Sequence, residues 1–277
     1  MQVNMGTIWD RTTDFIADAL PAILPFATLA FAATAIQSVT EGMISTASAP
    51  VSLALRAAVL ALVLVALFAR VAVVSLALGT LDATSRAADI ARRRYIFVVG
   101  IHLATLVIGV VLALPAIGLV RYGGVSWQDM ANLQPGAINA MPARVRVALG
   151  LYGLVAAVGA FWVFVRLSLA QAVAVADGGV LSALRQSFAL TRGHAFKITG
   201  VLILLTIVSF VATKAVQTVF GSVLGLIADS SGPLSPGTVI TAIAVALAAT
   251  AFTLLSDVFF AKFYLAVRGN SAGFEIA

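Results

Sequence analysis

Three short matches carry most of the chemistry in this chain. Phe68-Ala69-Arg70, Phe164-Val165-Arg166 and Phe260-Ala261-Lys262 recur at intervals of 96 residues. Each sets a basic side chain inside an apolar run, and Lys214 and Asp257 sit in similar surroundings. A charge at the centre of a membrane helix costs about 2.5–3.5 kcal/mol on insertion scales, so it persists only where something offsets that cost. Three arrangements would do so. The long side chains could snorkel to the cytoplasmic headgroups. They could converge on one anionic group such as a lipid phosphate, a task suited to arginine's planar donor fork. Or they could pair with Asp257, whose carboxylate otherwise lies alone in hydrocarbon. Asp257 and Lys262 stand five residues apart, a poor spacing on one helix, so Arg70 or Arg166 is the better partner. Lys214 either lines a polar interior, faces a neighbour's carboxylate or snorkels outward.

Other chemistry lacks its residues. There is no cysteine, and His102 and His194 each lack a second histidine at ligand spacing, so no metal site is expected. Asp10, Asp14 and Asp18 fall at i, i+4 and i+8, which reads as a solvated helix face. G-x-S-x-G, phosphate-loop and dinucleotide fingerprints are absent. The expectation is a protein that is not an enzyme and holds no cofactor. A net charge of +6 could suggest nucleic acid, but the basic residues gather in loops and at helix ends. There, membrane topology and anionic lipid account for them.

The elements that must position these groups are membrane helices. Of the 277 residues 61% are apolar and 10% charged, with mean hydropathy +1.08, whereas soluble domains run to about 25% charged. Apolar runs reach the roughly 20 residues that span hydrocarbon as a helix, and the alternating segments of a β-barrel are missing. The fold class is therefore all-α: a single polytopic membrane domain, 1–277, with six spans. They run about Leu20–Val39, Val51–Leu81, Tyr95–Val120, Val147–Ala176, Ile198–Ala228 and Thr238–Val267. Two shorter segments are amphipathic. Ile8, Phe15 and Ala19 share one face of 7–19, and Val180, Leu181, Leu184 and Phe188 share one face of 180–191. Both read as interfacial helices lying along the membrane plane.

Orientation follows from the basic residues. Arg11, Arg86, Arg92, Arg93, Arg94, Arg185, Arg192, Lys197 and Arg268 fall on one side, against Arg56, Arg121, Arg144 and Arg146 on the other. That asymmetry puts both termini in the cytoplasm of a bacterial inner membrane. The 121–146 loop then faces outward with Trp127 as an interfacial anchor. The start lacks a basic region and an early apolar run, so the first span is expected to act as an uncleaved anchor. Gly221 and Gly225 form a G-x-x-x-G step, which suits close helix packing within or between chains.

The 96-residue spacing divides the chain into helical hairpins of about 1–81, 82–177 and 178–277. A shift of two spans preserves orientation, so these are parallel repeats about an axis along the membrane normal. The expectation is a pseudo-threefold six-helix bundle, with Arg70, Arg166 and Lys262 at similar depth near the cytoplasmic end.

The stretch RLSLAQAVAVADGGVLSALRQSFALTRGHAFKITGVLIL, residues 166–204, has a distinctive skeleton. A spanning helix with Arg166 leads to the turn Asp177-Gly178-Gly179. An A-L-x-x-S-F-x-L-T-x-G segment follows, from Ala183 to Gly193, and runs straight into the next span. This resembles a signature of six-helix bacterial membrane proteins. They include the membrane domain attached to some glycerophosphoryl diester phosphodiesterases and related domains of unknown function. The phosphodiesterase chemistry of those proteins belongs to a separate soluble barrel, for which this chain has no segment, so the resemblance implies the membrane fold and not the activity.

The expected function is binding or handling of anionic amphiphiles such as phospholipids, with Arg70, Arg166, Lys262, Asp257 and Lys214 as ligand-binding residues. A secondary transporter, with Lys214, Asp257 and the basic triplet along an aqueous path, is the alternative. A structural or scaffolding subunit is the third. Anionic lipids are the expected partners and nucleic acid is not; a homo-oligomer or a membrane-protein partner is left open.

Overall fold

The computed structural model describes residues 4–44, 47–79, 84–126, 141–227 and 234–272. Within them every regular element is a helix, and six stretches are long and apolar enough to cross a membrane. Trp127, and the ends of the second and fifth spans at Leu81 and Ala228, lie outside the described residues.

Helix α1 (Met5–Asp18) opens on Asn4, whose side chain accepts from the Gly6 amide at 2.9 Å, filling one of the orphan donors at the helix start. Its buried stripe is Ile8, Thr12 and Phe15, packed against the helices Pro236–Ala272 and Leu20–Ile44. Asp10, Asp14 and Asp18 are exposed. Thus the apolar face of α1 is occupied by protein. The chain turns at Ala19 directly into α2 (Leu20–Ile44), which forms an antiparallel hairpin with α3 (Ala49–Leu78).

The third span, α4 (Thr84–Tyr122), begins well before Tyr95. Arg86, Arg92, Arg93 and Arg94 therefore ride on its first turns and not in a loop, as arginine's good helix propensity allows. At about 1.5 Å per residue α4 is about 58 Å long, far beyond the hydrocarbon thickness of about 30 Å. The fourth span breaks near its end. Helix α5 (Ala143–Leu167) stops where the Ser168 hydroxyl turns back to the Val165 carbonyl at 2.8 Å, an alternative that serine offers to continued helix. Helix α6 (Ala170–Ala176) completes the span and ends at Asp177. Gly178 and Gly179 follow, both with φ of 78°, a conformation that side chains other than glycine's adopt at a cost.

Helix α7 (Val180–Leu190) differs from the sequence expectation in its seat. Its buried residues are Ala183 and Ser187, followed by Thr191, whereas Leu181 is 81% exposed and Phe188 is 36% exposed. The small side chains let α7 approach α6, α5 and α4 closely, with Val180 and Leu184 partly buried against the core and Leu181 and Phe188 left outside. The closest approach is Gly100 of α4, where a Cβ would lie 2.5 Å from Val180 Cγ2. Helix α8 (Ala195–Ile227) pairs with α9 (Pro236–Ala272), and α9 also packs on α2, α3 and α1.

The core gathers at one end. Leu67 to Ala77 of α3, Leu169 to Val175 around α6, and Val258 to Tyr264 of α9 supply most of it, with Ile23, Phe26, Val98 and Ile198. Within it Ala69, Val165 and Ala261, 96 residues apart, are all buried. Toward the opposite end Leu106, Leu114, Leu154, Val158 and Phe210 are each more than half exposed. Lipid tails are as apolar as leucine, so nothing drives these residues inward. The bundle has a packed end and an open end.

Candidate functional site

Arg70 points from α3 to α9 and grips Asp257 with both arms of its fork. Nε donates to Oδ2 at 2.7 Å and the Nη2 amine to Oδ1 at 2.8 Å. Asp257 is 8% exposed, so the bidentate geometry is what makes the burial of its charge tolerable. Asp257 and Lys262 are on the same helix but take different partners.

Lys262 reaches across to the end of α3. Its ammonium donates to the Ala77 carbonyl at 2.8 Å and lies 4.0 Å from the centre of the Phe15 ring of α1. Ala77 is in the last turn of α3, where carbonyls have no helical partner and a cation meets the negative end of the helix dipole. The second of the three matched cations, Arg166, is placed differently again. Its guanidinium carbon lies 5.3 Å from the Trp162 ring centre, and its buried Nε has no hydrogen-bond partner. Among the described residues Arg166 has neither ion pair nor side-chain acceptor. Its backbone carbonyl accepts from the Ser187 hydroxyl at 2.7 Å, which fastens α7 to the end of α5. Trp162, half exposed, stands edge-on to Phe188 at 5.9 Å.

The three matched cations therefore take different partners, and Arg166 alone sits in the last turn of its helix. Lys214 belongs to none of these groups. It is exposed on α8, where it donates to Gln217 Oε1 at 2.9 Å one turn along its own helix. Gly221 is exposed with no atom within 4 Å of a Cβ placed on it, so no neighbour presses against α8 there; the surroundings of Gly225 lie outside the described residues. His102 contacts the Val98 carbonyl of its own helix at 2.9 Å, and His194 packs edge-on to Phe263.

A second polar cluster escaped the sequence reading. Asp177, at the turn after α6, receives Tyr264 OH on Oδ2 at 3.1 Å and Arg268 Nη1 on Oδ1 at 2.9 Å. Arg268 also donates to the Tyr264 hydroxyl. Arg94 of α4 closes over the same turn, so near that a Cβ on Gly178 would lie 2.0 Å from its Nη1. The Asp-Gly-Gly turn was conspicuous in sequence. Its partners sit on the last helix and in no matched triplet, so spacing gave no sign of them.

Six long apolar helices carrying ion pairs between spans define a polytopic α-helical membrane protein. More particularly, the chain belongs to the DUF7847 family, a domain of unknown function, which matches residues 11–267. No curated protein and no solved structure matches the chain.

Proposed function

We propose that this protein is a non-enzymatic bacterial inner-membrane protein that binds anionic phospholipid at its packed end. One observation carries the reading: among the described residues the Arg166 guanidinium has no protein acceptor, and it lies beside the exposed aromatic pair Trp162 and Phe188. A lipid phosphate would supply the missing acceptor, and a half-exposed tryptophan suits the boundary between headgroup and hydrocarbon. Arg70 and Lys262 already have protein partners, so the ligand contact narrows from the triplet to its middle member.

The packed end is taken as cytoplasmic, as the excess of basic residues on that side favours. Leu181, Phe188 and Phe196 are exposed there beside Arg185, Arg192 and Lys197, a mixture that suits a helix resting on an anionic membrane surface. The three hairpins are read as parallel repeats, supported by the matched burial of Ala69, Val165 and Ala261. Kinship with the membrane domain of glycerophosphoryl diester phosphodiesterases is part of the same proposal and rests on residues 166–204.

The test is native mass spectrometry of protein extracted gently from membranes. Arg166→Gln should lower retention of anionic phospholipid about tenfold, as expected for loss of one charged hydrogen-bonding group, with the thermal transition little changed. Unchanged retention would sink the proposal. A permease reading draws on the Arg70–Asp257 pair, which joins two spans and could exchange partners during a rocking motion. It predicts substrate flux in proteoliposomes that disappears in Asp257→Asn.

A further inference from the structure

At the open end, α2 and α3 flank a shallow, open groove of about 800 Å³ lined by Glu41, Ile44, Arg56, Val59, Leu60 and Val63. Two opposite charges face this one groove without forming an ion pair, since no such pair joins them among the described residues. Glu41 accepts from the Gln37 amide on Oε1 at 2.9 Å, which leaves its other oxygen available. Arg56 makes no hydrogen bond within the described residues. Below the charges the wall is wholly apolar. Arg56, Val59, Leu60 and Val63 fall at i, i+3, i+4 and i+7, one face of α3. From Arg56 to Val63 that stripe runs about 10 Å along the helix axis.

We propose that this groove binds a zwitterionic phospholipid carrying a primary ammonium, the phosphoethanolamine headgroup type. The phosphate would meet Arg56, whose fork matches it. The ammonium would meet Glu41, to which it can donate hydrogen bonds as a quaternary ammonium cannot. An acyl chain would run down the Val59, Leu60 and Val63 stripe. The site is at the opposite end of the bundle from Arg166 and does not depend on that residue's role.

The experiment compares retention of phosphatidylethanolamine, phosphatidylcholine and phosphatidylglycerol by native mass spectrometry, after exchange of the full chain into mixed vesicles of the three. The Arg166→Gln variant, which lacks the packed-end contact and serves as the background for the changes below, should prefer phosphatidylethanolamine, whereas wild-type protein should retain phosphatidylglycerol as well. Arg56→Gln should lower its retention about tenfold or more, the loss typical of a charged hydrogen bond. Glu41→Gln should retain phospholipid but erase the preference for the ethanolamine headgroup over the other two. Both residues are exposed, so folding is expected to survive, and Arg56→Lys, which keeps the charge but loses the fork, should be intermediate. Free phosphoethanolamine should not displace the bound lipid; displacement would make the occupant a soluble phosphoamine and overturn the lipid assignment. Equal retention of the three lipids by the Arg166→Gln variant, or an unaltered preference when Glu41→Gln is added to it, would overturn the proposal as well. Loss of binding in Arg166→Gln alone, with Glu41 and Arg56 silent, would do so while leaving the packed-end reading intact.

Discussion

Breaking the Arg70–Asp257 pair from either side leaves one charge buried and unpartnered, which typically costs about 3–5 kcal/mol. Arg70→Gln and Asp257→Asn should therefore each lower the thermal transition in detergent markedly. Replacing both by apolar residues of similar volume should recover most of the loss, because that removes both desolvation penalties together. Similar instability in the double variant would show that the pair does more than neutralise itself. The pairing also marks how far the sequence could be read. A five-residue gap disqualified Lys262 and directed attention to Arg70 or Arg166, and Arg70 is the partner found. What Lys262 does instead was hidden, since its acceptor is a main-chain carbonyl of another helix and carbonyls have no sequence signature. The Asp177 cluster was hidden for a related reason, as Tyr264 and Arg268 are brought to it only by the packing of α9.

Helix α7 is held by small residues, and Gly100 of α4 is where the fit is tightest. Gly100→Ala would drive a methyl group to 2.5 Å from Val180 Cγ2, an overpacking that typically costs about 1–3 kcal/mol. Adding Val180→Ala should relieve it, so the two substitutions should be strongly non-additive in thermal unfolding. Additive behaviour would place the two helices farther apart than the Gly100–Val180 contact requires. The existence of α7 was evident from residues 180–191, but the face it buries was not. Ranking the residues by hydrophobicity selects Leu181 and Phe188, whereas contact between helices in lipid selects Ala183 and Ser187. The break after Leu167 was likewise invisible, because the apolar run continues through it and only the Ser168 hydroxyl marks the place.

The span count was legible because length and hydropathy are enough to define a membrane crossing. The concentration of the core at one end was not, since residues facing lipid and residues facing protein are equally apolar. Which end faces the cytoplasm is open to a direct test. The chain contains no cysteine, so single-cysteine variants label without background. With intact cells, a membrane-impermeant maleimide should label Tyr122→Cys at the open end and spare Asp14→Cys on α1 until the membrane is permeabilised. Both positions are exposed, so the opposite pattern would invert the assigned orientation.

Helix α9 has a consequence for how the molecule is made. Arg70, the Ala77 carbonyl and Asp177 all find their partners on this last helix, at Asp257, Lys262, Tyr264 and Arg268. Until it emerges from the ribosome and inserts, an arginine of the second span and a carboxylate of the central turn are without counter-charges. The earlier spans therefore insert before these contacts can form. Insertion of α9 supplies these partners, and a nascent chain halted before Asp257 would display the unpaired groups by which membrane quality control could recognise it as unfinished.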